Sequence, residues 1–197
     1  MKILIVLIAT IALHGCAGID DVMSKASNLG VVSTEKSNFD NATRVTVTPT
    51  YLWGEDAHLL NDFKLGARWS SSTPKTVQLI ISYDSSASSS RSYVSFKGME
   101  IKVDGKVHSF VTTGTTQLDN SGYNDISKTI YTQSRNTVTI PYPLFEEMMK
   151  AKECRLRIHS SRGFEDSLFT LPRNSMGSRL AFSAMEEFHA TVKNLQK

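Results

Sequence analysis

The chain has 197 residues, with 22 lysines and arginines against 19 acids, a formal charge of +3, and 40% hydrophobic and 9% aromatic residues. That length and apolar share suit one domain with a sizeable core. So even a charge balance supplies no field of the kind that holds nucleic acid.

At the start of the chain one cation, Lys2, precedes an apolar run that closes on Leu13-His14-Gly15-Cys16. The run is shorter than the roughly 20 apolar residues a permanent membrane span needs. A cation, a short apolar stretch and a small-residue boundary are the parts of an export signal. With Leu13, Gly15 and Cys16 at that boundary, the segment resembles the signal peptide of a bacterial lipoprotein. It departs from the family at His14, where a small or weakly polar residue is usual. The resemblance implies cleavage before Cys16 and acylation of that cysteine, with palmitate-type chains holding the protein on a membrane. Two or more such chains anchor stably, at about 0.8 kcal/mol per buried CH₂. Ala17 follows, not aspartate. In this family that implies the outer membrane, on its periplasmic face, in preference to the inner membrane.

The expected organisation is a signal peptide over residues 1–15, removed on export, then a lipidated tether over 16–41, then a single domain over 42–197. The tether is inferred from its polar residues, with Asp20, Asp21, Ser24, Asn28, Gly30 and Ser37 among them. From residue 42 the period of the pattern becomes two. Arg44-Val45-Thr46-Val47-Thr48 alternates and stops at Pro49. Phe63, Leu65, Ala67 and Trp69 fall on one face of the next strand, and residues 76–83 form a nearly continuous apolar run. Strands at 93–103 and 106–112 flank Asp104-Gly105, a type I′ hairpin signal. Two short strands follow at 126–132 and 136–140, separated at Ser134-Arg135.

The tail adds helix. Leu144, Phe145, Met148 and Met149 recur at helical spacing after Pro143. Strands at 154–159 and 164–171 follow. The last segment, 174–195, is predicted helical, capped by Asn174 or Ser175, with Ala181, Met185, Phe188, Val192 and Leu195 in one apolar stripe. The expected fold class is therefore mainly β with two helices, α+β. Its architecture is an antiparallel β-sandwich, Ig-like in broad outline, with a late short helix and a C-terminal amphipathic helix.

Chemistry is sparse. No Gly-x-Ser-x-Gly elbow is present, and the serine-rich stretches 70–72 and 85–92 read as loops. His58, His108, His159 and His189 are widely separated, and Glu55-Asp56-Ala57-His58 reads as a solvated loop, so no metal or other cofactor is expected. Residues 119–125 carry oxygen donors around Gly122 but lack the closing glutamate of an EF-hand, which leaves a hydrogen-bonded turn. Cys154 alternates with Leu156 and Ile158, which places it in the core, and with Cys16 acylated it has no disulfide partner. Arg155, Arg157 and His159 share the opposite face of that strand. They form a candidate binding face for an envelope protein or an anionic ligand, or else a ladder paired with Glu153, Glu165 and Asp166.

The expected function is that of a membrane-anchored, non-catalytic binding or envelope-assembly module. One alternative is a small-ligand or lipid carrier with a cavity beneath the C-terminal helix. An envelope hydrolase has no motif to support it.

Overall fold

The computed structural model describes residues 23–54, 60–89, 92–173 and 179–196. The strands are β1 (Val32–Lys36), β2 (Thr43–Gly54), β3 (Leu60–Ser70), β4 (Thr76–Ser86), β5 (Phe96–Val103), β6 (Lys106–Val111), β7 (Gln117–Asn124), β8 (Thr129–Pro141), β9 (Cys154–Ser160) and β10 (Gly163–Leu168). Two helices complete the described residues, α1 (Tyr142–Lys150) and α2 (Ala181–Leu195), together with one helical turn at 23–26. Mainly β, antiparallel and α+β is thus the observed class.

The strands form one open antiparallel sheet in the order β6-β5-β9-β10-β2-β3-β4-β8-β7, with β1 attached to β2. β2 is the branch point. Its first half pairs with β1, from Val32 against Val47 to Lys36 against Thr43. Its far end pairs with β10, at Ser167 against Gly54 and Leu168 against Trp53. The sheet then bends over itself into two facing layers. The Phe63 ring on β3 meets Phe96 on β5 at 5.4 Å and 72°, although three strands separate them in sheet order. The backbone N–H of Thr113 donates to the Thr137 carbonyl at 2.7 Å, and that of Val94 to the Ser134 hydroxyl at 3.1 Å. Both layers feed one apolar core, including Leu65, Ile81, Ile101, Ile140 and Ile158.

Several local expectations change. The predicted break at Ser134 is absent, because β8 runs unbroken through it. Ser134 and Asn136 point inward and are satisfied there, Asn136 donating to the Gly114 carbonyl and the Thr116 hydroxyl at 3.3 Å. A hydrogen-bonded polar residue on an inner face does not end a strand. β2 likewise passes Pro49, with a register shift between Val47 and Thr50. The missing N–H of Pro49 falls in that bulge. Gly66 stands opposite, where a Cβ would lie 2.5 Å from the Val47 carbonyl oxygen. Residues 119–125, expected as a turn, belong largely to β7, an exposed strand paired with β8.

Part of the stretch expected to be tether is folded. Residues 32–36 are strand β1, and the preceding turn is fastened to α2. Gly30, at φ 64°, lies so close to Ala184 that a Cβ would come within 3.0 Å of that methyl, and Lys25 pairs with Glu187 at 3.5 Å. The C-terminal helix begins later than expected, at Ala181, with Leu180 at its N-cap. The proposed caps Asn174 and Ser175 lie outside the described residues. The Asp104-Gly105 turn has positive φ at both positions, 44° and 93°, as a type I′ turn demands.

Both helices close the core at one end. α1 buries Leu144, Phe145 and Met148, and α2 buries Ala184, Met185, Phe188 and Val192. Phe145 and Phe188 meet edge to face at 5.7 Å and 86°. His189 sits in the same seam, 5.7 Å from the Phe145 ring. Burial holds its pKa below the ordinary 6.5, and Glu146, 3.6 Å away, offsets this only in part. The folded chain therefore takes up that proton at lower pH than the unfolded chain. The stability contributed by the neutral ring is whole above pH 6.5 and declines as pH falls from there through the folded pKa. His189→Phe is expected to flatten this decline in thermal melts taken from about pH 7 downward. An unchanged profile would place the titration on another group.

Candidate binding face

β9 alternates without fault. Cys154, Leu156, Ile158 and Ser160 are buried, and Arg155, Arg157 and His159 face outward. The register of neighbouring strands extends that outer face. β5 contributes Lys102 beside Arg155 and Glu100 beside Arg157. β10 contributes Asp166 beside Arg157 and Phe164 beside His159. β6 adds Val107 next to Lys102.

Each of the three residues has an acidic neighbour. Arg157 grips Asp166 with two parallel bonds, Nε to Oδ1 and Nη2 to Oδ2, both 2.7 Å. Such a fork is both strong and directional. The Arg157 hydrogen bonds hold the Asp166 carboxyl below the usual carboxylate range. Arg155 Nε reaches Glu153 Oε1 at 3.0 Å, an exposed pair of little energetic weight. That bond also lowers the Glu153 pKa. His159 Nε2 lies 3.2 Å from Glu100 Oε1. The ladder is therefore close to neutral, with Glu100 on β5 supplying the carboxylate beside His159.

One residue of this face was missed in the sequence. Phe164 is 56% exposed, and the Arg157 guanidinium carbon stands 4.2 Å from its ring centroid. The Asp166 fork fixes the arginine, and the arginine in turn fixes the ring. Alternation in residues 164–171 could have placed Phe164 on the Asp166 side, but only the pairing of β10 with β9 puts it over Arg157. Val107 and Val111 add further exposed apolar surface along β6. A shallow hollow of about 340 Å³ lies beside Val107, walled by Lys102, Val107, Arg155 and Arg157.

The remaining candidates are not drawn together. Cys154 is fully buried, and burial pushes its thiol up to about 12, which makes it a packing group. His108, His159 and His189 stand on β6, β9 and α2. Among the described residues no three histidines, cysteines or acids converge on a metal-sized site. Glu55, Asp56 and His58 lie outside the described residues, as do Cys16 and the whole segment before Met23. Beneath α2, Met185, Phe188, Phe145 and Met148 fill the interval to the sheet, each at 0% exposure.

Compared with protein families, with curated protein sequences and with solved structures, the chain has no significant match in any of the three.

Proposed function

We propose that this protein is a lipoprotein held by acyl chains on Cys16 at the periplasmic face of the outer membrane, and that its β domain is a non-catalytic module binding another envelope protein. The Leu13-His14-Gly15-Cys16 boundary supports the address. The observation that carries the binding role is the Arg157–Phe164 pair, an exposed aromatic ring braced by a guanidinium that is itself braced by Asp166. Rigid arginine and aromatic groups dominate the energetics of protein interfaces, because little entropy remains to be lost when they are covered. Neutralisation of the ladder by Glu100, Glu153 and Asp166 favours a protein partner over an anionic glycan or headgroup on this face.

Site-specific photo-crosslinking in intact cells tests this, with the crosslinker at Val107. The wild-type background is expected to give a discrete adduct with another envelope protein. Phe164→Ala is expected to reduce that adduct about tenfold or more, as loss of a central anchor does. If Phe164→Ala and Arg157→Ala both leave the adduct at wild-type intensity, the face is not the interface.

A further inference from the structure

The other outer surface, over β3, β4 and β8, has a different character. Leu65, Ala67 and Trp69 of β3 point inward, as do Leu79, Ile81 and Tyr83 of β4. Lys64, Arg68, Gln78, Ile80, Ser82, Asp84 and Arg135 therefore face out. Register places Arg68 against Gln78 on one side of β4 and Arg135 against Ser82 on the other. Two hollows, of about 290 and 230 Å³, share Arg68, Ile80 and Arg135. They are one trough along β4, with an arginine on either flank. Ser27 and Leu29 line one end, and Thr113 and Gln117 the other.

The cations here are not matched as they are on β9. Lys64 is taken up by Asp84 at 2.5 Å. Burial alone would raise the Asp84 pKa, but its bonds from Lys64 and Gln133 outweigh that and hold it low, so it remains an anion paired with Lys64. Among the described residues, neither Arg68 nor Arg135 has a hydrogen-bond or carboxylate partner for its guanidinium. The Nε of Arg135 is also shut off from solvent. A guanidinium N–H that has lost water and gained no acceptor is costly, and an oxyanion on the outer Nη atoms of the same guanidinium would give the buried charge a partner. Between the two arginines Ile80 forms an apolar floor, 4% exposed although it lies outside the core. Such a floor lowers the local dielectric and strengthens charge pairing above it. Gln78, Thr113, Gln117 and Thr137 add uncharged donors and acceptors along the walls.

We propose that this trough binds a carboxylate or phosphate group, borne by a small hydroxylated molecule, between Arg68 and Arg135. A planar fork suits either oxyanion, and a lysine at the same place would not replace it. The site lies away from the Arg157–Phe164 face and does not depend on that face having a partner.

The test uses full-length Cys16→Ser protein, titrated at constant ionic strength with inorganic phosphate and with glucuronate. The Nε–Hε resonance of Arg135 is followed by NMR. A separate arm uses phosphatidylcholine vesicles with and without phosphatidylglycerol. Saturable movement of that resonance is expected, with affinity falling about tenfold or more in Arg68→Gln and in Arg135→Gln, the loss of roughly one charge-assisted contact. Arg155→Gln, on the other face, is expected to bind as wild type does. Arg135→Lys keeps the charge without the fork, and is expected to weaken binding while near-ultraviolet circular dichroism stays native. A response confined to phosphatidylglycerol vesicles, and lost in the same variants, keeps the oxyanion site and identifies a lipid headgroup as its source. No saturable response to any probe, or undiminished affinity in both glutamine variants, overturns the proposal.

Discussion

Cys16→Ser is expected to abolish acyl labelling and to move the protein from the membrane fraction to the soluble one. The sulfur is the nucleophile that takes the diacylglycerol in the family this segment resembles, and a serine hydroxyl does not substitute for it. The energetic consequence is large. At about 0.8 kcal/mol per buried CH₂, two long chains make dissociation negligible. Among the described residues no helix is long and apolar enough to cross a membrane. Metabolic labelling with palmitate, followed by fractionation of the envelope, reads both effects. A Cys16→Ser protein that still sediments with the outer membrane would place the anchor elsewhere and remove the basis of the proposed address.

The second large effect is expected at the seam of the two helices. Phe188 is fully buried and meets Phe145 edge to face, so one side chain joins α2 to α1 and to the sheet beneath. α2 depends on that contact. It is 15 residues long and begins at Ala181, with Leu180 at its N-cap and no side-chain cap. A helix of that length is marginal by itself, and docking of its apolar stripe supplies most of its stability. Phe188→Ala should cost about 3–5 kcal/mol, through lost transfer energy and the cavity left behind. That is a large part of the roughly 5–15 kcal/mol by which a domain is stable. Phe164→Ala, the same change on the surface, should cost less than about 1 kcal/mol. Urea unfolding of the soluble Cys16→Ser protein compares the two. Equal midpoints would mean that the stripe is not what holds α2.

The contrast between these two phenylalanines also marks how far the sequence could be read. Phe188 belongs to a repeating stripe, and its burial was legible because helical periodicity is a local property. Phe164 sits alone, and what it does depends on Arg157, which another strand supplies. The same distinction explains the strands that were missed. β1 has no fully buried residue, and β7 is exposed along nearly its whole length. Neither carries an apolar alternation, because each exists through its hydrogen bonds to a neighbour. β8 was divided in two at Ser134-Arg135 because both are polar, although Ser134 accepts from the Val94 N–H and is a proper interior residue.

Sequence alone determined the β-rich class, the Asp104-Gly105 hairpin, the inward side of β9 and the apolar stripe of α2. Each of these follows from spacing within a few residues, where backbone geometry imposes a period of two or 3.6. Tertiary structure decided the strand order, the bend that brings β5 against β8, and which cations found partners. Arg157 and Arg135 each stand on the outer side of an alternating strand in the folded chain, although the sequence placed Arg135 at a strand break. The pairing of β9 with β10 gives the first a carboxylate, and the neighbours of β8 give the second none. Charge compensation acts across strands, between residues remote along the chain, and so the difference between a braced surface pair and an open arginine trough arises only when the sheet is assembled.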